Sequence, residues 1–144
     1  MVEMSVAGIA LDAASRTPIV LLRDPSGRRQ VPIWIDQSQA HNIMAGLQGA
    51  EPPRPLSHDL MAALLVAGGL ELERVIVHAI EDSTFHAVLK LRQTDPLDAA
   101  AEGDVILHDV DARPSDAIAL AVRTGSTIWI CLLYTSDAAD DTLC

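Results

Sequence analysis

The sequence predicts an α+β domain: a mostly antiparallel sheet assembled from hairpins, with about three helices packed on it. Three observations carry this. Two pairs of apolar, β-branched runs are separated by short turn-forming stretches, as in hairpins. Three other segments begin at capping residues and continue with apolar residues at helical spacing, two of them closed by glycine. A hairpin, a further strand and a capped helix then occur in each half, which suggests an internal duplication. Hairpins with helices segregated to one face make an α+β layer architecture.

The elements follow in order. Val2, Met4 and Val6 alternate with Glu3 and Ser5, the pattern of a half-buried strand. Ile19–Leu22 and Val31–Ile35 flank Asp24-Pro-Ser-Gly27, a strong turn signal, and the tip carries Arg23, Arg28 and Arg29. Asp36 caps a helix through about Leu47, with Gln39 three residues on as a variant capping box. Glu51-Pro-Pro-Arg-Pro55 is a rigid linker. Ser57 is read as the cap of a second helix, with Leu56 and Met61 at the staple positions and Gly68-Gly69 at its end. A second hairpin runs over 71–80 and 84–91, turning at Glu81-Asp-Ser83, and a polar loop covers 93–103. Val105, Leu107 and Val110 mark another strand. A helix opened by Pro114 and closed by Gly125 follows, and Thr127 begins a last strand.

Composition bounds the function. The chain has 144 residues, enough for one domain with a real core. Its charge is −10, from 10 basic and 20 acidic residues, so a broad phosphate-attracting surface is excluded and any positive patch must be local. The start lacks the layout of a signal peptide and no apolar run reaches membrane-span length, so a cytoplasmic protein without membrane contact is expected. Cys131–Asp140 resembles the translation of a sequencing-library adapter. The expectation is therefore a domain over 1–130, with 131–144 a non-native tail. Both cysteines fall in that tail, which leaves neither a disulfide framework nor a thiolate metal site in 1–130.

The segment Asp111–Arg123 holds the most chemistry. Asp111 and Arg113 sit at a strand-to-helix turn, and Ser115 and Asp116 lie where free backbone donors and the positive helix end favour an oxygen or an anion. Two carboxylates and a guanidinium within one turn suit a metal-bound phosphate. His58-Asp59 offers a base beside a carboxylate. Each residue also has a structural explanation: Asp59 and Asp116 complement helix dipoles, His58 is an exposed residue at a helix start, and Arg113 braces its turn against Asp111 or Asp116. His78, His86 and His108 all fall in strands and read as solvent-facing. Trp34 and Trp129 read as core anchors, and with few aromatics there is no stacking platform for bases.

Val31-Pro-Ile-Trp-Ile35, Glu51-Pro-Pro-Arg-Pro-Leu-Ser-His-Asp-Leu60 and Asp111-Ala-Arg-Pro-Ser-Asp-Ala-Ile-Ala-Leu-Ala-Val-Arg123 together closely resemble the bifunctional nuclease domain family. The resemblance runs from about Val2 to Ile130. It implies an α+β fold, a homo-oligomer, and a nuclease acting on DNA and RNA. On that reading Asp111 and Asp116 hold Mg²⁺ or Mn²⁺, Arg113 clamps phosphate, and His58 or Asp59 is the base. Where the family usually carries Gly then Glu after the Ile-Trp-Ile segment, this chain has Asp36 and Gln39, so no metal role is assigned there. The alternative is a non-catalytic oligomeric module that uses 111–123 as an interface or small-anion site.

Overall fold

A computed structural model describes residues 1–49, 51–79, 84–93 and 106–131. Among these the order is β1 (Val2–Leu11), β2 (Pro18–Arg23), β3 (Gln30–Trp34), α1 (Gln37–Gln48), α2 (Ser57–Ala67), β4 (Leu70–Ala79), β5 (Phe85–Gln93), β6 (Leu107–Ala112), α3 (Pro114–Thr124) and β7 (Thr127–Cys131). The turn expected at 81–83, the polar loop over 94–103 and the start of a strand at Val105 lie outside the described residues, as does the expected tail beyond Cys131.

One sheet contains all seven strands, in the order β3-β2-β1-β7-β4-β5-β6. Each half is an antiparallel meander, β1-β2-β3 and β4-β5-β6, and each meander is followed by a helix. The predicted repetition is thus present in the architecture. β7 joins the halves, antiparallel to β1 and parallel to β4 with Val75 opposite Ile128. That parallel pair needs a crossover, and α3 provides it by packing on β4 and β5.

Local chemistry explains the element ends. At the β2–β3 turn, Asp24 Oδ1 accepts from the Arg29 N–H at 3.2 Å, and Gly27 takes the positive φ the turn demands. The α1 capping box is formed: the Gln39 N–H donates to Asp36 Oδ1 at 2.7 Å, and Gln39 Oε1 accepts from the Asp36 N–H at 2.8 Å. The two residues that depart from the family pattern are thus used to start a helix. α3 opens as expected, with Arg113 at the cap and Pro114 at the first helical position, and closes at Gly125 in the left-handed region.

Two expectations need correction. Ser57 is the first residue of α2 rather than its cap. Leu56 holds the cap position with no side-chain cap hydrogen bond, and its own N–H donates to Asp59 Oδ2 at 2.9 Å, the reciprocal half of a capping box. Consequently Leu56 and Met61 do not occupy staple positions, and Met61 is exposed. Trp34 is no core anchor either. Ile33 takes the buried parity of β3, which turns Trp34 outward at 48% exposure, with its indole N–H on Asp12 Oδ2 at 3.0 Å.

The core lies between the sheet and α3. Ala117, Ile118, Ala119, Leu120 and Ala121 are buried in succession, because the sheet covers one side of α3 while α1 and α2 cover others. The alanines let neighbouring elements approach closely. Ile118 is fully enclosed, so Ile118→Ala is expected to cost about 2–5 kcal/mol through lost burial and an unfilled cavity. The shift of the denaturant midpoint at unchanged slope measures it.

Candidate functional site

The first turn of α2 crosses α3 and brings two neighbouring side chains onto two separate partners. His58 is buried, and its Nε2 lies 3.0 Å from Asp116 Oδ1. Arg113 Nε donates to the other oxygen, Asp116 Oδ2, at 2.8 Å. Asp116 is thus held from both sides, by a residue buried beneath it and one largely exposed above it. Burial opposes its ionisation, yet the hydrogen bonds and charges of Arg113 and His58 outweigh that and hold its carboxyl below the ordinary range. The same contact raises Arg113 above its usual value. His58 Nδ1 is buried with no partner.

Asp59 points elsewhere. Its Oδ1 accepts from Arg123 Nε at 2.7 Å, and its Oδ2 already serves the Leu56 N–H. Arg123 Nη1 donates further to the carbonyl oxygens of Asn42 at 2.9 Å and Ala119 at 2.8 Å. One guanidinium, 7% exposed, therefore joins α1, α2 and α3. Its hydrogen bond to Asp59, with the Leu56 N–H adding to it, holds that carboxyl below the ordinary Asp value of 3.8. Arg123 stands seven residues after Asp116, two helical turns along the same face, so the spacing was legible. It was missed because an arginine in a helix's last turn is already explained by the dipole.

Of the five residues singled out by sequence, the structure brings His58, Arg113 and Asp116 into one contact chain. Asp59 belongs to a second pair with Arg123. Asp111 is exposed on β6, in register with Val88, and its side chain makes neither a hydrogen bond nor an ion pair among the described residues. The histidines do not gather as three: His78 and His86 face each other across β4 and β5, while His108 is opposite Leu91. His78 is half-buried, and burial, Lys90 and His86 together lower its pKa.

Two hollows flank this ground. A larger one of about 510 Å³ lies between the end of α1, the Pro-rich linker and α2, with Asp59 and Arg123 in its wall. A smaller one of about 220 Å³ lies at the start of α3, lined by Trp34, Gln39, Phe85, Arg113 and Ser115 among others.

The donor set does not fit a preformed divalent-cation site. Both oxygens of Asp116 are taken, one by a guanidinium that repels a cation. Among the described residues no group of three or more His, Cys, Asp or Glu side chains is placed to hold a metal.

Comparison with known proteins adds an independent finding. Residues 20–132 match the family profile described as the Bifunctional nuclease domain, a match that runs through the end of β7. Two curated relatives are uncharacterised proteins of Mycobacterium tuberculosis, MT1877 of strain CDC 1551 and Rv1829 of strain H37Rv. Each is 38% identical over 130 residues, covering 90% of this chain and 71% of theirs.

Two outcomes follow from the Arg123 brace. A Cβ at Gly46 would stand 2.6 Å from Val122 Cγ2 and 2.8 Å from Arg123 Nη1. Alanine gains up to about 1 kcal/mol in helix propensity, but overpacking costs about 1–3, so Gly46→Ala is expected to lower the melting temperature. Acid should act on the same brace. Asp59 ionises more readily folded than unfolded, so its stabilisation is fully present above the ordinary value of 3.8 and is lost as pH falls through the lowered one. Melting temperatures across pH 2–7 should fall below about pH 4 in the parent, and Asp59→Asn should flatten that fall.

Proposed function

Because the chain belongs to the bifunctional nuclease domain family, we propose that it hydrolyses phosphodiester bonds of DNA and RNA at the exposed end of α3. The observation that supports this best is the posture of Arg113. Its Nε is tethered to Asp116, which is steadied in turn by buried His58, and the guanidinium remains 66% exposed. A guanidinium oriented in this way presents its terminal N–H groups to a phosphate with little ordering left to do. Charge forming on the phosphorus oxygens would be met by a donor already in place.

The roles expected for the two candidate bases change in this proposal. His58 is enclosed and cannot reach a substrate, so it positions Asp116. Asp59 is committed to Arg123 and the α2 cap, so it braces the helices. Asp111, exposed and unpaired two residues before Arg113, lies within about 7 Å of it along the chain and is the carboxylate left to take a proton from the attacking water. Dependence on Mg²⁺ or Mn²⁺ is part of the proposal and is measured by the assay below. The homo-oligomer is likewise a proposal. The outer side of α2 leaves Leu60, Leu64 and Val66 at 53–79% exposure, the surface a second copy would cover.

A second reading is a non-catalytic module that binds phosphate-bearing ligands. It is favoured by one specific feature: every carboxylate oxygen of Asp59 and Asp116 already has a partner.

Labelled single-stranded DNA and RNA, incubated with the purified chain in Mg²⁺, Mn²⁺ or EDTA, separate the two. Cleavage that falls about 100-fold or more in folded Arg113→Ala and Asp111→Asn variants supports hydrolysis. A folded parent that retains nucleic acid on a filter but leaves it intact under all three conditions replaces hydrolysis with binding. Light scattering on the same sample decides the oligomer.

A further inference from the structure

The small hollow at the start of α3 has donors besides Arg113 that the proposed reaction does not use. α3 carries no side-chain cap: Arg113 at the cap position gives no cap hydrogen bond, and Pro114 has no N–H to give. The backbone N–H groups of Ser115 and Asp116 are therefore uncapped at the positive end of an 11-residue helix. Ser115 lines the hollow at 4% exposure, and its hydroxyl has no hydrogen-bond partner. Buried hydroxyls are almost always paired, so an unpaired one calls for an explanation, and a hydroxyl is able to donate to a ligand. Gln39 also lines the hollow, with its carbonyl oxygen occupied by the Asp36 N–H, which leaves its amide N–H₂ as the free end. Arg113 stands at the rim with terminal N–H groups to spare. The Gln39 amide, the Arg113 terminal N–H groups and the Ser115 hydroxyl can all donate at this hollow, and its 220 Å³ exceed the room a few waters need.

We propose that this hollow seats one tetrahedral oxyanion, a phosphate group of a nucleic acid, on the Ser115 hydroxyl and the α3 N-terminal N–H groups, with Arg113 closing over it. A helix N-terminus with an unpaired hydroxyl and an adjacent guanidinium is complementary to phosphate in both charge and geometry. The inference rests on the phosphodiester reading and deepens it, because it assigns where a phosphate binds rather than what is done to it.

The test is direct binding, independent of cleavage. Inorganic phosphate titrated into the intact chain, followed by calorimetry and by amide shifts of Ser115 and Asp116, should saturate at one site. Sulfate should compete and chloride should not. Ser115→Ala should weaken binding about fivefold or more, and Ser115→Asp, which places an anion in the seat, should abolish it; a native amide spectrum shows that each variant is folded. Arg113→Gln, remote from the core, gives a second measure and should weaken binding similarly. Phosphate should also displace a short single-stranded oligonucleotide. No saturable phosphate binding by the parent, or equal affinity in folded Ser115→Ala and Arg113→Gln, overturns the seat. Phosphate binding that leaves the oligonucleotide in place overturns its assignment to nucleic acid, in favour of free phosphate. A chain that binds phosphate but cuts nothing retains the seat and loses hydrolysis instead.

Discussion

The guanidinium of Arg123 is the point on which the helical layer depends. α1 and α2 are consecutive helices joined through a Pro-rich linker, and both pack against α3. Arg123 reaches a backbone carbonyl of α1, the carboxylate of α2's first turn and a carbonyl of its own helix. A side chain this enclosed would be costly if any of these partners were withdrawn, since an unpaired buried charge is far worse than no charge. Gly46 is small because the guanidinium passes where its side chain would stand. Asp59 gains a second task, satisfying the Leu56 N–H, so the same carboxylate that anchors Arg123 also begins α2.

That brace fixes what lies two turns earlier on α3. Once Asp59 is pinned to Arg123, its neighbour His58 is carried under Asp116, and Asp116 in turn fixes Arg113. Structure passes outward along this line, from a buried cation to an enclosed histidine, a half-buried carboxylate and an exposed guanidinium. Two side-chain contacts, His58 with Asp116 and Asp59 with Arg123, share adjacent residues on α2 and anchor α3 at both ends. Rigidity at the base and exposure at the tip suit a side chain that meets a ligand.

The acidic total and the local chemistry are compatible. A chain at −10 repels polyanions at long range, so any nucleic acid must be gripped at short range by a few donors with good geometry. The start of α3 supplies such donors in a recess. Membership of the bifunctional nuclease domain family gives this local arrangement its context, while its curated relatives are themselves uncharacterised.

The sequence by itself determined the element types, the two hairpins and the opening of α3, because each is written in local chemistry. Alternation gives strands, Asp24-Pro-Ser-Gly27 gives a turn, and Pro114 with Gly125 gives both ends of a helix. Asp116 and Arg113 were legible as a pair because they lie one turn apart. The pairing of His58 with Asp116 and of Asp59 with Arg123 was not. It depends on how α2 crosses α3, across separations of 58 and 64 residues that carry no local signal. Trp34 was misjudged for a related reason, since strand parity is settled by which face meets the core. Tertiary packing alone decided that Asp59 braces, that Asp111 stands apart, and that Ser115 is buried without a partner, because burial and charge pairing belong to the packed helices and not to any one segment.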